Sequence, residues 1–435
     1  MDVFHRRISL DEAATIVQLA LGRDLLHGAS AAIFHHLELM RARIAALQAA
    51  FPERTLHAVA IKANPVLEIL REVVGTGAGL EAASLEEVAL ALAADCPADR
   101  VVFDSPAKTR DEIRQALAWG VYLNADNFDE LDRIAEARKP GVSSSCVGLR
   151  VNPMVGGGTI EHTSVAQADS KFGVSLSTDR ARIVAAFAEH AWLGGLHVHV
   201  GSQGCELELL AKAARRVAEL RRTIIAETGR DLPHVDLGGG LPTAYHSTQM
   251  APTPADYRAL VEQRAPDLFA PGVRLITEFG RAIHANCGIA VSRVEYVKPG
   301  RRGDQLAVIH LGADFLLRTV YRPEDWQHEF FVLDRQGMPK TGPDRPLSIA
   351  GPLCFAGDVL ARDVLLPPVE PGDWIVIRDV GAYTLSMWSR HCSRGIPAVI
   401  GYDPRRGDPM RLLRTGETPT DLVRFWGFGD ATDGR

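Results

Sequence analysis

The sequence predicts an α/β protein, a (β/α)8 TIM-like barrel followed by a second, mostly β domain. Three observations carry this. Short apolar runs recur at 57–61, 79–82, 100–103, 120–123, 147–151, 194–199, 234–237 and 273–277. Helical patterns fill the gaps, as in Ser84–Ala94, Arg110–Trp119 and Leu207–Ala226. Eight such units in a row favour closure over an open doubly wound sheet. After about residue 282 the rhythm stops, and Ile289–Val297, Gln305–Leu311, Arg345–Ile349 and Asp373–Arg378 read as strands between Gly/Pro turns. Residues 1–45 read as helical and run into a strong helix former, Met40–Leu47, before Phe51-Pro52.

At 435 residues the chain is too long for one ordinary core, so two domains are expected. A formal charge of −6 and a pI near 6.2 leave no electrostatic footprint for nucleic acid. No apolar stretch approaches a membrane span, and Met1–Leu21 mixes charges into an amphipathic helix pattern unlike a signal peptide. Six scattered cysteines, with no CxxC and no zinc spacing, read as the reduced thiols of a cytoplasmic protein.

Barrel enzymes carry their chemistry on the loops after the strands' C-terminal ends. The first strand runs into His57-Ala58-Val59-Ala60-Ile61-Lys62-Ala63-Asn64-Pro65. A lysine there must send its ammonium to water, to an anion or into a covalent bond. It is either a snorkelling strand-edge residue or the amine of a Schiff base. The second strand ends with Glu81, a turn carboxylate or a site residue. The fifth, in Gly148-Leu149-Arg150-Val151-Asn152-Pro153, carries Arg150 and Asn152, and a charge inside an apolar strand calls for a polar lumen or a partner.

The sixth strand reads Leu196-His197-Val198-His199-Val200-Gly201-Ser202. Two histidines at i and i+2 share a face and would suit zinc, but a zinc site needs further ligands, preferably His or Asp. The other strand ends offer a lysine, a glycine run and Glu-Phe-Gly-Arg instead, so no metal is expected. The seventh ends in Gly238-Gly239-Gly240, where backbone N–H groups can approach a phosphate without Cβ obstruction. The eighth supplies Glu278 and Arg281. Arg281 would complete a phosphate clamp, and Glu278 opposite a pyridine nitrogen would keep that ring protonated; a local salt bridge between them is the plain alternative. In the second domain Gly351–Asp358 places Cys354 in a Gly/Pro-bounded loop, and Asp379–Tyr383 places Tyr383 in another. Alone, these two read as core residues.

Together, a Schiff-base lysine, a phosphate cradle, a clamping arginine and a ring-nitrogen glutamate are what pyridoxal 5′-phosphate (PLP) requires. The segments AIKANP, GAGLEAAS, GLRVNP, SKFGV, HVHVGSQ, DLGGGLP, EFGR, GPLCFAGD and GAY follow in order from residue 60 to 383. In this the chain resembles the fold-type III PLP-dependent decarboxylases of the diaminopimelate/ornithine decarboxylase group. The resemblance implies an alanine-racemase-like barrel over 46–282 and a β-rich domain built from 1–45 plus 283–435. It implies Lys62 as the Schiff-base lysine, His199 stacked on the PLP ring, and Ser202, Gly239, Gly240, Arg281 and Tyr383 around the phosphate. Glu278 would face the pyridine nitrogen, with Glu81 and Arg150 also on the cofactor side. Cys354 would be the proton donor, reaching into the other subunit of a homodimer with composite sites. The implied reaction is loss of the α-carboxylate of an amino acid bound as a Schiff base.

Two departures bear on the substrate. The position after the cysteine, usually acidic in the family and reading a distal amine, is Phe355, and the usual Glu-Pro-Gly-Arg is Glu278-Phe279-Gly280-Arg281. In Asp314–Pro323, the stretch expected beside the distal substrate group together with Phe355 and Asp358, the chain offers Arg318, Tyr321 and Arg322. The expected substrate is therefore an amino acid, or a conjugate of one, with an apolar or anionic far end, unlike ornithine or lysine. An amino-acid racemase or a catalytically impaired PLP-binding regulator on the same fold are the alternative functions.

Overall fold

The computed structural model describes residues 2–138, 145–300 and 304–427. Eight strands, Leu56–Ala60, Gly79–Ala82, Val101–Asp104, Tyr122–Ala125, Val147–Asn152, Leu193–His197, His234–Asp236 and Arg274–Thr277, pair in parallel, each with the next. The eighth returns to the first with Ile276 opposite Leu56, so the barrel is closed. Its walls are the apolar runs of the sequence, and helices cover the outside.

Local chemistry sets the helix ends. Thr109 and Glu112 form a reciprocal capping box at the start of Arg110–Trp119, which stops at Gly120 with φ 79°. The long helix Leu207–Thr228 buries Leu210, Ala214, Val217, Ala218, Arg221 and Ile224. That three-and-four spacing puts one face on the barrel wall.

The remainder forms two sheets. A six-stranded sheet runs in the order Phe330–Leu333, Trp374–Arg378, Gly288–Arg293, Ala31–His36, Ala398–Tyr402, Met410–Arg414. A four-stranded sheet joins Tyr296–Pro299, Gln305–Val308, Arg345–Ala350 and Val359–Leu366. The helix Leu10–Gly22 lays Ala13, Ile16, Val17 and Ala20 on Phe34, Ile289, Val291, Trp374 and Val376 of the larger sheet. Ala31–His36 corrects the helical reading of residues 1–45. It is a central strand, all six residues buried, between an antiparallel neighbour and a parallel one. Burial on both faces erases the alternation that marks a strand in sequence. Among the described residues no helix is long and apolar enough to cross a membrane.

The two parts meet at the site. Asn64 donates from Nδ2 to the Gly381 carbonyl at 3.1 Å, and the Tyr383 N–H donates to the Ala63 carbonyl at 2.9 Å. The Asn-Pro break after the lysine thus docks the loop that carries Tyr383.

Candidate active site

Lys62 lies in a single 3₁₀ turn, Ile61–Ala63, directly after the first barrel strand. Its Nζ donates to both oxygens of Glu81 at 2.5 Å. Burial works against the ammonium, but the charges of Glu81, Asp104 and Glu278 outweigh it and hold Lys62 above its ordinary value. Carboxylate oxygens of Glu81, Asp104 and Glu278 gather within 4.8 Å of one another. Burial keeps Glu81 above the usual carboxylate range, whereas the charge of Lys62 overcomes the same burial at Asp104 and holds it below. Arg150, 3.4 Å from Asp104 and 3.8 Å from Asp126, lies with its guanidinium over the Phe172 ring. Asp104 is the last residue of the third barrel strand and was not singled out in the sequence; an acid at the end of an apolar run is the signal that could have found it.

The sixth and eighth strands bring His197 and His199 to Glu278, at 3.6 and 3.4 Å. Both carboxylate oxygens of Glu278 are buried without a hydrogen-bond donor among the described residues. Burial and nearby Asp104 push Glu278 up to about 8, against the pull of Lys62. Burial, with the charges of Arg150 and Lys62, drops His199 to about 3, so its ring is neutral. The ring is oriented by the Gly239 N–H, which donates to Nδ1 at 3.1 Å. Glu278 gathers with the two histidines into one group with metal-donor chemistry, and Glu81, Asp104 and Glu278 form a second. The cations Lys62 and Arg150 already stand among these donors.

The glycine run is required sterically. A Cβ on Gly239 would lie 2.6 Å from the Glu278 carbonyl oxygen, and Gly240, at φ +110°, would put one 2.9 Å from the Gly201 carbonyl. Beside this cradle, Arg281 donates from Nη2 to Ser202 Oγ at 3.0 Å and from Nη1 to the Tyr245 hydroxyl at 2.6 Å. Its guanidinium lies 4.5 Å from the Tyr383 ring and 4.8 Å from Trp326. Arg318 shares those two rings, and its Nη1 is buried without a partner among the described residues. Two arginines held side by side by aromatic faces make a place for anions. Tyr245 and Trp326 carried no signal in the sequence.

The expected substrate residues divide. Arg318 reaches the site, but Arg322 is exposed and paired with Glu324 and Asp325. Asp358 is buried, and its oxygens accept the N–H groups of Ala313 and Leu353, both at 2.7 Å. That carboxylate is committed to shaping the cysteine loop. Cys354 is exposed on this loop. Phe355 stacks on exposed Tyr321 with ring centroids 6.0 Å apart and meets His391 edge-on. A cleft of about 950 Å³ opens beside the site, between Gln203, Gly204 and Tyr245 on the barrel side and Trp326, Leu365 and Arg378.

These residues fit PLP. The orphaned Glu278 carboxylate awaits a donor such as a protonated ring nitrogen, the glycine loop and Arg281 await an anion, and Lys62 supplies the amine. Residues 37–285 match the family described as pyridoxal-dependent decarboxylase, pyridoxal binding domain. The chain belongs to this family. A diaminopimelate decarboxylase from Pseudomonas aeruginosa is 34% identical over 392 residues, covering 89% of each protein. Solved structures agree. Diaminopimelate decarboxylase from Helicobacter pylori complexed with L-lysine superposes with a TM-score of 0.83 at 27% identity, over 93% of this chain and 99% of that one. The M. jannaschii enzyme with L-lysine also gives 0.83, at 26% identity, over 94% and 95%. This PLP-dependent amino-acid decarboxylase therefore shares with the diaminopimelate decarboxylases a parallel eight-stranded barrel with separate β-sheets.

Proposed function

We propose that this decarboxylase removes the α-carboxylate of an amino acid with an anionic far end, using Lys62 as the Schiff-base amine. The convergence of Lys62, the donorless Glu278 and the glycine cradle on one barrel mouth carries the reading. Lys62 must shed a proton before Nζ can attack an aldehyde, and the Glu81 carboxylate at 2.5 Å is placed to take it. Glu278 would face the ring nitrogen of bound PLP, neutral His199 would lie against the ring face, and Gly239, Gly240, Ser202, Arg281 and Tyr383 would hold the phosphate. PLP held there would supply the electron sink for the pair left by departing CO2. Arg150 and Asp104 fix the charge balance around Lys62. Cys354, offered by the partner in a homodimer, returns a proton to Cα.

Diaminopimelate is the first candidate substrate, because the relatives bear its name and its distal carboxylate suits Arg318. One observation favours a second. Phe355 stacked on Tyr321 supplies no anion for a distal ammonium, which points to a substrate, or conjugate, lacking that ammonium. Measuring CO2 release over a panel of lysine, ornithine, diaminopimelate and acidic-tailed or acylated amino acids tests both. Efficient turnover of lysine or ornithine with none of the anionic substrates would overturn the proposal.

A further inference from the structure

We propose that Asn286 is a positioning residue for the phosphate end of the site. Its buried amide ties the loop that carries Tyr245 to the loop that carries Tyr383, and so sets the aromatic walls around Arg281. The proposal rests on the PLP reading of that site.

Asn286 lies in the 3₁₀ turn Ala285–Cys287, where the chain leaves the eighth barrel strand for the larger sheet, and it is fully buried. A side-chain amide offers two donor hydrogens and one carbonyl oxygen. Here all are used. Nδ2 donates to the Ala244 carbonyl at 2.8 Å and to Asp379 Oδ1 at 2.7 Å. Oδ1 accepts from Thr243 Oγ1 at 2.7 Å and from Arg43 Nη2 at 3.2 Å. Thr243 and Ala244 lead from the glycine run to Tyr245, and Asp379 opens the turn that ends in Tyr383.

Both loops need holding. Asp379 and Tyr383 sit at φ 59° and 57°, left-handed backbone that residues with a Cβ seldom adopt. Residues 241–245 belong to no helix or strand. Gln203 fastens this stretch to the barrel, its amide accepting the Thr243 N–H at 3.0 Å and donating to the Thr243 carbonyl at 2.7 Å. Asn286 fastens the same stretch to Asp379. Arg7 makes a second link nearer the surface, pairing with Asp379 and donating to the Tyr245 carbonyl at 3.0 Å.

The link acts on Arg281, which takes one wall from each loop. Its Nη1 donates to the Tyr245 hydroxyl at 2.6 Å, and its guanidinium lies 4.5 Å from the Tyr383 ring. Removing the Asn286 amide leaves the Thr243 hydroxyl, the Ala244 carbonyl and Asp379 Oδ1 short of a buried partner. The two walls can then part, and Arg281 loses its aim at the glycine cradle. That cost falls on the phosphate of a ligand and spares its ring, which meets Lys62, His199 and Glu278.

Apoprotein titrated with PLP and with pyridoxal, which lacks the phosphate, separates the two ends; quenching of tryptophan fluorescence follows both. N286A is expected to bind PLP roughly tenfold more weakly and to bind pyridoxal as wild type does. Equal losses for the two ligands, the pattern of a residue that merely supports the fold, would overturn the proposal, as would undiminished PLP affinity. If N286A does not fold, T243V keeps the amide and removes one of its ties to the Tyr245 loop. A PLP-only loss of roughly threefold is expected there, and unchanged PLP affinity would sink the idea. Failure of wild type to bind either ligand would bring down the cofactor reading and this inference with it. Tight PLP binding by wild type, with losses in the variants that ignore the phosphate, would remove Asn286 alone.

Discussion

Gly239→Ala probes the cradle where the structure allows least room. The added Cβ would stand 2.6 Å from the Glu278 carbonyl oxygen and 3.4 Å from His199 Cε1. The first of these is a clash with backbone. Relief must come from moving the glycine loop or the end of the eighth strand, by most of an ångström, in a close-packed barrel mouth. Overpacking of this kind costs about 1–3 kcal/mol. Both segments that can move belong to the proposed PLP contacts, so the cost should fall on binding, as an affinity loss of about 5- to 150-fold. Titrating apoprotein with PLP, followed by quenching of tryptophan fluorescence, reads the loss directly. Gly22→Ala, whose Cβ meets nothing within 4 Å, is the control. Wild-type PLP affinity in G239A would refute the assignment of this loop.

Three further outcomes are expected. Phe355→Glu restores the acidic residue usual at this position and should raise kcat/KM for substrates with a distal ammonium relative to those without one; an unchanged ratio would remove Phe355 from specificity. Cys354→Ala should keep PLP affinity but slow turnover and let deuterium enter Cα without stereochemical control, with full rate and retained stereochemistry counting against a proton-donor role. Glu417 is held at about 2 chiefly by its hydrogen bond from Arg390, against burial, with help from the Ile396 N–H and Arg414. A carboxylate depressed on folding contributes stability above its unfolded value, here near 4.5, and loses it as pH falls towards 2. Urea midpoints of wild type and E417Q should therefore differ at neutral pH and converge as the pH drops through that window; a constant gap would contradict the linkage.

The barrel was legible because its strands are short apolar runs separated by amphipathic helices, a rhythm that survives without any tertiary information. The site was legible where a residue type is costly in its place: Lys62 at the end of an apolar strand, three glycines after another, and Glu278 with Arg281 after the last. Ala31–His36 was hidden because burial on both faces leaves no alternation. The strands Phe330–Leu333, Val359–Leu366, Ala398–Tyr402 and Met410–Arg414 likewise emerge only once their sheet neighbours are in place. Tyr245 and Trp326 act through ring faces brought together by folding, which no local pattern encodes. An acid in a functional loop reads the same in sequence whether it meets substrate or, as Asp358 does in the fold, holds backbone N–H groups. Arg322 is paired with Glu324 and Asp325, two and three residues further along the chain, a local pairing that the sequence already offered.

The most direct measurement is the mass of the peptide bearing position 62 after PLP-loaded protein is reduced with borohydride and digested. The account predicts a phosphopyridoxyl adduct on Lys62 and on no other lysine. An adduct on a different lysine, or an unmodified peptide from fully loaded protein, would contradict it.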